Sequence, residues 1–437
     1  MIGFIGLSHL GIVSSLATAA KGFETIGFDP APGLCDHLGR GKFPVAEPGL
    51  EELFQSHRLR VRFSSDPAEL GQCGLILVSL DVPTDAANRS DLAPLRELID
   101  SVAGSIAPEA TVVILCQVPP GFTRSLKTAL VARGVRWAGN LFYQVETLIF
   151  GNAVERALHP ERFIIGCDDP NAALPGNYAT WLKAFECPFL PMRYESAELA
   201  KIAINLFLVS SVSTTNTLAE LCEEIGADWS EIAPALHLDK RIGPHAYLTP
   251  GLGIAGGNLE RDLITVKHLA SEHGAEAGIV DAWFLNSRYR RDWAFRLVHE
   301  LILFKKASAT VAIWGLAYKS NTHSTKNSPS LGLIDDLAHI AKIAYDPQVR
   351  LDPTRFPRLQ IAGSALEACR DADGLIVMTP WEEFAKIEPA IFKKSMKGNV
   401  VIDPFGRMDG TACFEAGLAY HRLGAPAAKA LAELPLS

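Results

Sequence analysis

The sequence predicts an α/β protein in which two doubly wound parallel-sheet domains are joined by a long central helix and a further helical segment. Short apolar runs alternate with helical patterns over residues 1–195, and the alternation restarts near residue 309. An uninterrupted helical pattern lies between them at 196–222. Alternating strands and helices are typical of parallel sheets, because parallel neighbours need a crossover connection. We therefore expect domains at 1–195, 196–305 and 306–437.

The strands of the first domain follow from its apolar runs. The clearest patterns are Ile2–Ile5, Glu24–Phe28, Leu75–Ser79, Thr111–Cys116 and Arg162–Gly166, and a helical pattern at 12–21 separates the first two. Short apolar runs of this kind fit strands that are buried on both faces of a sheet.

The central helical pattern is continued by further helices to about residue 305. In the last domain the strand patterns are Val311–Trp314, Lys342–Asp346, Gly374–Thr379 and Val400–Asp403, with a helix at Leu331–Ile340. Two similar α/β units joined by helices are the simplest architecture that contains these elements.

Composition narrows the class of protein. The chain has 437 residues, 48% of them hydrophobic, and a net charge of -8, which fits a soluble enzyme and gives no electrostatic reason to expect nucleic acid or an anionic membrane as a partner. The eight cysteines have no metal-ligand spacing, so we expect reduced, buried thiols and no metal site. We expect no membrane span, because Asn205 and a serine/threonine cluster interrupt the most apolar helix. The first residues enter a strand pattern without a basic leader, which favours the cytoplasm.

A glycine-rich turn follows the first strand. Its residues are Gly6, Ser8, His9, Leu10 and Gly11, and Asp29 follows the second strand. In a Rossmann-like dinucleotide site Gly6 makes the tight turn, Gly11 allows close packing of helix and strand, and the helix N-terminus faces the pyrophosphate. A carboxylate at Asp29 accepts ribose hydroxyls and repels a 2′-phosphate, which favours NAD over NADP. The alternative is an ordinary turn with a solvated Asp29.

Residues 250–262 read Pro-Gly-Leu-Gly-Ile-Ala-Gly-Gly-Asn-Leu-Glu-Arg-Asp. This segment resembles, without a gap, the active-site pattern P-G-x-G-[FY]-G-G-x-C-x-x-K-D of the UDP-glucose/GDP-mannose dehydrogenase family. In that family the Cys is the nucleophile that holds the aldehyde intermediate. Asn258 stands at that position here, and an amide cannot add to an aldehyde as a thiolate does.

The resemblance spans nearly the whole chain, with further motifs in the family's order. It implies that the cofactor is also bound by Pro83, Thr84, Gln117 and Lys326, and the substrate by Thr147, Leu148, Phe150, Arg241, Gly256, Gly257 and Lys319. Two departures lie near the expected nucleotide sugar. Phe150 replaces a glutamate, and Phe405 replaces the arginine of the motif D-x-R-N, so one expected cation is missing.

The resemblance implies NAD-dependent oxidation of the C6 hydroxyl of a nucleotide sugar, with UDP-glucose as the default, by a homodimer. Within it Lys201 stabilises an oxyanion, Asn205 holds a hydroxyl, and Asp262 orders water or acts as a base. Glu146 matches the acid that assists thioester hydrolysis. Without a thioester, Glu146 serves as the base for alcohol oxidation or is only structural.

The residue pattern gives each of these assignments an alternative. Lys201 and Asn205 share one helix face at a spacing of four residues, and the flanks of Lys201 are apolar, although a solvated helix lysine is the alternative. Asp262 is alternatively a first-turn carboxylate near a helix N-terminus. Asn258 is alternatively the N-cap of a helix at 258–272.

Three outcomes follow from the missing nucleophile. The enzyme stops after one hydride transfer and releases a 6-aldehyde, or it oxidises the hydrate of the aldehyde directly to the acid. The third outcome is a non-catalytic scaffold that binds NAD and a nucleotide sugar without turnover. A two-domain hydroxyacid dehydrogenase is a further rival, but it does not account for the second α/β unit.

Overall fold

The computed structural model describes residues 1–85, 89–255 and 258–426. The chain divides into two compact units, Met1–Ile204 and Asn205–Ser437. The helix Tyr194–Ile225 contains the point of division. The finer division at 195/196 and 305/306 stays a prediction.

The first unit is built on an eight-stranded sheet. Its strands are β1 (Ile2–Ile5), β2 (Thr25–Phe28), β3 (Val61–Ser64), β4 (Leu75–Val78), β5 (Thr111–Ile114), β6 (Leu141–Gln144), β7 (Phe163–Cys167) and β8 (Phe189–Arg193). Their order is β3-β2-β1-β4-β5-β6-β7-β8. Every neighbouring pair is parallel except β6 and β7, which are antiparallel.

Helices connect these strands. They are α1 (His9–Ala20), α2 (Pro32–Gly39), α3 (Leu50–His57), α4 (Ala93–Val102), α5 (Phe122–Ala132), α6 (Ala153–Leu158), α7 (Gly176–Lys183) and α8 (Tyr194–Ile225). Neighbouring side chains of β1 belong to different apolar clusters: Phe4 to one with Trp181 of α7, and Ile5 to one with Leu95 of α4 and Leu126 of α5. Both faces of the sheet are therefore buried, as expected for a parallel sheet.

The second unit begins with helices. They are the rest of α8, followed by α9 (Trp229–Leu238), α10 (Asn258–His273), α11 (Gly278–Arg291) and α12 (Trp293–Val298), with a π-helical turn at His299–Leu303. Arg290 of α11 is fully buried and forms ion pairs with Glu220 and Glu223 of α8. Because a buried guanidinium is costly unless it is paired, these contacts hold α11 against α8.

A six-stranded parallel sheet follows, ordered β11-β10-β9-β12-β13-β14. Its strands are β9 (Thr310–Trp314), β10 (Ala341–Tyr345), β11 (Leu359–Ile361), β12 (Gly374–Val377), β13 (Val400–Ile402) and β14 (Ala419–His421). The helices are α13 (Pro329–Asp336), α14 (Ala365–Ala368), α15 (Glu382–Ala385), α16 (Pro389–Ser395) and α17 (Gly410–Glu415). The chain reverses its direction of growth between β9 and β12, which makes their carboxyl ends a topological switch point.

The predicted fold class is confirmed, since both units are doubly wound α/β sheets and a long helix leads from one to the other. Five of the nine predicted strands are one or two residues too long, two are shifted by one residue, one is a residue too short, and Ile2–Ile5 is exact. The predicted helix 331–340 is wrong in its bounds, because α13 already starts at Pro329, where a proline suits the first turn, and ends at Asp336.

Helix α8 is long and apolar enough, by length and composition alone, to cross a membrane. This differs from the expectation that no run reaches that length. The finding is weak evidence for a span, because the core helix of a soluble protein passes the same test. Two polar side chains of α8, Glu198 and Asn216, are buried and accept hydrogen bonds from backbone N–H groups of Gly121, Thr123 and Gly251, as in a helix that packs inside protein.

Candidate active site

The glycine-rich turn joins β1 to α1. Gly6 has a φ of +90°, which favours glycine. A Cβ atom at Gly11 would lie 2.0 Å from the carbonyl oxygen of Gly6 and 2.8 Å from Oγ of Ser79. Only a glycine at position 11 therefore lets α1 pack so close to the turn. The first turn of α1 faces outward from the carboxyl end of the sheet, as a dinucleotide site requires.

Ser8 occupies the N-cap position of α1 without capping it. Its hydroxyl donates to the carbonyl of Ser79 at 3.1 Å and accepts from the backbone N–H of Asp81 at 2.9 Å. These bonds hold the side chain against the end of β4. Ser8 therefore replaces the usual middle glycine with its hydroxyl directed to the end of β4 and not to the N–H groups of the first turn of α1. The carboxylate of Asp81 lies 3.5 Å from the N–H of Leu10 in the first turn.

Asp29 follows β2 and supports the same turn. Its carboxylate accepts hydrogen bonds from the backbone N–H groups of Leu7 and Ala31, each at 3.0 Å. The side chain is half-buried, and a carboxylate has about four acceptor positions. It therefore has capacity for two ribose hydroxyls, and the turn, the helix end and this acid together fit a dinucleotide.

The second unit has an equivalent aspartate that is built differently. Asp346 follows β10, and a glycine with a φ of +95°, Gly315, follows β9. Asp346 is buried and accepts five hydrogen bonds, from the N–H groups of Leu316, Ala317, Gln348 and Val349 and from the indole of Trp381. No acceptor position is left for a ribose, so this loop is stabilised internally and the dinucleotide cradle belongs to the first unit.

A buried glutamate connects the cofactor turn to the expected substrate loop. Glu47 lies 3.0 Å from Nε2 of His9 and accepts hydrogen bonds from the N–H groups of Gly151 and Ala153. The ring of Phe150 stacks on His9 with centroids 4.1 Å apart. The aromatic side chain that replaces the family's glutamate is thus positioned by the cofactor turn. Sequence analysis missed Glu47, which lies in a loop and has no periodic signal.

Glu146 lies just after β6. Its Oε1 accepts hydrogen bonds from the N–H groups of Thr147 at 2.5 Å and Leu148 at 2.7 Å. Loss of solvation raises the pKa of this carboxyl, while those two N–H groups and the positive charges of Lys201 and Arg156 oppose the rise. The two predicted substrate-binding residues thus hold the carboxylate through their backbones, and half-buried Lys201 is near enough to act on its charge.

Glu198 lies one turn before Lys201 on α8 and was not among the predicted site residues. It is fully buried and accepts hydrogen bonds from the N–H groups of Gly121 at 2.6 Å and Thr123 at 2.8 Å. These donors start α5, directly after the turn that contains Gln117. The helix that carries Lys201 is therefore fixed to that turn.

In the second unit, Asn205 and Asp262 form a buried pair. Nδ2 of Asn205 lies 2.5 Å from Oδ2 of Asp262, and the residues are 8% and 2% exposed. Nε of Arg261, which is also buried, lies 3.8 Å from the other carboxylate oxygen. Because a carboxylate can only accept, the Asn205 amide must turn its nitrogen to Asp262, which leaves its carbonyl oxygen as the acceptor for another group.

Three of the predicted site residues are not, or only partly, among the residues that the structure describes. Gly256 and Gly257 lie outside the described residues, and so does the side chain of Asn258. The backbone of α10 begins at Asn258. The choice between a helix cap and a substrate contact at this position therefore stays a prediction.

The remaining predicted residues lie on loops. Lys319 is half-buried, with its Nζ 5.7 Å from the ring centroid of Tyr318, while Lys326 is exposed. Arg241 is 89% exposed and forms an ion pair with Asp239 at 2.7 Å. In the loop after β4, Pro83 accepts a backbone hydrogen bond from Asp91, and Thr84 forms an isolated bridge with Ser90.

All eight cysteines are free thiols, seven of them buried and Cys187 half-buried. Burial raises the pKa of every one, to about 11 for Cys73 and about 12 for Cys369 and Cys413. Each thiol therefore stays protonated at neutral pH and is a poor nucleophile. No cysteine offers an activated thiolate in place of the one missing at 258.

Over residues 1–85, 89–255 and 258–426, no group of three or more His, Cys, Asp or Glu side chains is arranged to hold a metal ion.

Three models of one protein family match consecutive parts of the chain. The NAD binding domain of the UDP-glucose/GDP-mannose dehydrogenase family matches residues 1–182. The central domain matches 195–286, and the UDP binding domain matches 312–410.

The sequence similarity to individual relatives extends over nearly the full length of both chains. The chain is 27% identical to a UDP-glucose 6-dehydrogenase of Pseudomonas aeruginosa, covering 97% of each chain. It is 26% identical to a UDP-glucose 6-dehydrogenase of Bacillus subtilis, covering 98% of this chain and 94% of the relative. Among solved structures, a UDP-glucose dehydrogenase from Pyrobaculum islandicum is similar, with a TM-score of 0.81 and 25% identity over 94% of this chain and 97% of the other.

Proposed function

The chain belongs to the UDP-glucose/GDP-mannose dehydrogenase family and is an NAD-dependent nucleotide-sugar dehydrogenase, and we propose that it converts the C6 hydroxyl of a UDP-glucose-like sugar to the aldehyde. The reaction then stops after one hydride transfer. The observation that carries this proposal is the burial of the thiols: seven of the eight cysteines are buried and Cys187 is half-buried, while an amide stands at position 258.

Alcohol oxidation needs a base for the hydroxyl proton and a cation for the developing alkoxide. Glu146 is the base in this proposal, because its raised pKa brings it closer to neutral pH than an ordinary carboxyl. Lys201, whose charge acts on Glu146, stabilises the alkoxide. Bound NAD supplies the nicotinamide that accepts the hydride from C6.

Asn205 and Asp262 orient the substrate in this proposal. Asp262 fixes the amide of Asn205, whose carbonyl oxygen then accepts a hydrogen bond from a sugar hydroxyl. A buried, pre-oriented acceptor loses little entropy on binding, so it favours one alignment of the sugar.

Acid formation in the family requires a thiohemiacetal, from which the second hydride leaves. No described residue offers an activated thiolate for that step, and Asn258 cannot replace it. The aldehyde is therefore released after one oxidation.

The nucleotide sugar is taken to carry UDP for two reasons. The model that matches 312–410 is described as a UDP binding domain, and the relatives are named UDP-glucose 6-dehydrogenases. The departures at Phe150 and Phe405 affect positions that the family uses near the sugar nucleotide, so UDP-glucose is the default and related UDP-hexoses belong in the same screen.

We propose that the enzyme is a cytoplasmic homodimer. Helix α8 carries five apolar side chains that are at least 40% exposed, and four of them lie on one face of the helix: Phe207, Leu218, Leu221 and Ile225. We call these four side chains the α8 stripe. Exposed Thr214 lies between Phe207 and Leu218 on the same face, and exposed apolar side chains that share a face are typical of a contact surface. A second copy with the same stripe would cover it symmetrically.

The test is the yield of NADH per nucleotide sugar consumed, with the product identified by NMR. Aldehyde release gives one NADH per sugar. A yield of two, with the uronic acid as product, would show that the hydrate is oxidised without a thiol and would contradict the proposal. Binding of NAD and UDP-hexoses without any NADH would instead indicate the non-catalytic scaffold.

A further inference from the structure

The loop after β13 is folded around a buried aspartate. Asp403 is fully buried, and its Oδ2 accepts hydrogen bonds from the N–H of Met408 at 2.9 Å and the hydroxyl of Tyr420 at 2.8 Å. The intervening Gly406 adopts a φ of +58°. These contacts fix the direction in which the side chains between Asp403 and Met408 leave the backbone.

The two large side chains of this loop have different surroundings. Phe405, at the position where the family has an arginine, packs against the apolar core of the unit. Arg407 is half-buried, and its Nε is shielded from water without a hydrogen-bond partner in the described part of the chain. A shielded N–H that lacks an acceptor is unfavourable, so an acceptor supplied by a ligand would stabilise the side chain.

Two other arginines near this sheet and its adjoining helices are balanced by carboxylates. Arg290 lies between Glu220 and Glu223, and Arg422 is paired with Asp228. Arg407 has no such ion pair among the described residues. A guanidinium binds two oxygens of a phosphate through Nε and one terminal nitrogen or through its two terminal nitrogens.

The position of Arg407 fits a phosphate ligand. It lies at the carboxyl end of β13, next to β12, and β12 borders the switch point with β9. Ligands of open α/β sheets bind outside these strand ends. The matched UDP binding domain, residues 312–410, includes this loop.

We propose that Arg407 binds a phosphate of the nucleotide sugar and so replaces, from two residues further along, the cation lost at Phe405. The inference rests on the proposed function for the class of ligand. It names a residue that sets affinity for the diphosphate and leaves hydride transfer to other groups.

The experiment compares the affinities of the full-length enzyme for UDP and for uridine by calorimetry. Arg407→Met is expected to weaken UDP binding by about tenfold to a hundredfold, the usual effect of losing a charged hydrogen bond, and to leave uridine and NAD binding unchanged. Arg407→Lys keeps the charge without the planar fork and should give an intermediate loss. Arg370→Met is the matched control, since Arg370 is exposed before β12, at the opposite edge of the same sheet.

A rescue variant separates a lost contact from a folding defect. The double variant Phe405→Arg with Arg407→Met should recover most of the UDP affinity, because it returns a guanidinium to the position that the family uses. UDP affinity that is equal in the wild type and Arg407→Met would overturn the inference and leave the proposed function intact. A wild-type enzyme that binds neither UDP nor a UDP-hexose would overturn both.

Discussion

In the proposed reaction, the residue at position 258 determines whether the oxidation stops at the aldehyde. Replacing the amide by a thiol, Asn258→Cys, should raise the NADH yield from one toward two per sugar, with the uronic acid as product, because the thiolate can then hold the aldehyde for the second hydride transfer. The measurement is NADH yield together with NMR of the product.

Two controls accompany this variant. Iodoacetamide should abolish the gained acid formation and leave wild-type aldehyde formation intact, since the eight native thiols are protonated and mostly buried. Asn258→Ala tests the alternative that Asn258 is a helix cap, because loss of a cap costs about 0.5–2 kcal/mol of stability. If Asn258→Cys behaves like Asn258→Ala in both stability and product, the side chain is a cap and does not face the sugar.

If Glu146 is the base, as proposed, we expect the activity to depend on pH. A base must be deprotonated, so kcat should rise with pH as Glu146 loses its proton, and the raised pKa puts this rise above the ordinary value of 4.5. Glu146→Gln should lower kcat by about 10²–10⁴-fold and remove this acid limb. An exposed glutamate of the same unit, Glu109→Gln, is the control. An unchanged pH profile in Glu146→Gln would assign the proton to another group.

At the residue scale the sequence was informative where a role depends on local position. Asp29 follows β2 as predicted, and Gly6 has the positive φ that its turn requires. Local sequence patterns did not predict contacts between residues that lie far apart along the chain. Glu47 contacts His9 and the start of α6, 106 residues along the chain, and no local pattern reveals that contact.

Among the elements, α8 is held in place by the hydrogen bonds that its buried polar side chains accept. Glu198→Ala would leave the buried N–H groups of Gly121 and Thr123 without acceptors, and we expect the free energy of unfolding to fall by about 2–4 kcal/mol in urea denaturation. Glu198→Gln keeps one acceptor oxygen and should cost less.

Glu195→Ala is the matched control for this prediction. Glu195 lies on the same helix, has a side chain that is 41% exposed and pairs with Arg124, so its loss should cost less than about 1 kcal/mol. Equal losses for Glu195→Ala and Glu198→Ala would show that Glu198 does not fix the start of α5.

Strands with a strong local sequence pattern were predicted, and strands with a weaker pattern were not. The apolar runs of β1, β4 and β5 are buried on both faces and were found. β8 was missed because it is only partly buried at the sheet edge, and its sequence, Phe-Leu-Pro-Met-Arg, includes a proline. The antiparallel pairing of β6 with β7 could not be predicted, because strand direction depends on the path of the connection and not on composition.

For the molecule as a whole, the α8 stripe predicts its state of association. Phe207→Asp combined with Ile225→Asp should convert a homodimer into a monomer in light scattering, because two charges would be buried in the contact. Leu238→Asp serves as the control, since Leu238 is 85% exposed on α9. A double variant that remains dimeric would show that another surface holds the subunits together. A wild-type monomer would contradict the dimer itself.

The sequence by itself determined the fold class and the dinucleotide turn, because both depend on which residues stand close together along the chain. It also showed directly that position 258 is not a cysteine. Tertiary structure decided which groups meet. The pairing of Asn205 with Asp262, 57 residues apart, and the hold of Glu198 on the start of α5 arise only when helices pack against other elements. Packing also decided that Asp346 is saturated while Asp29 keeps free acceptor positions, since the number of N–H groups around a carboxylate depends on how its neighbours fold.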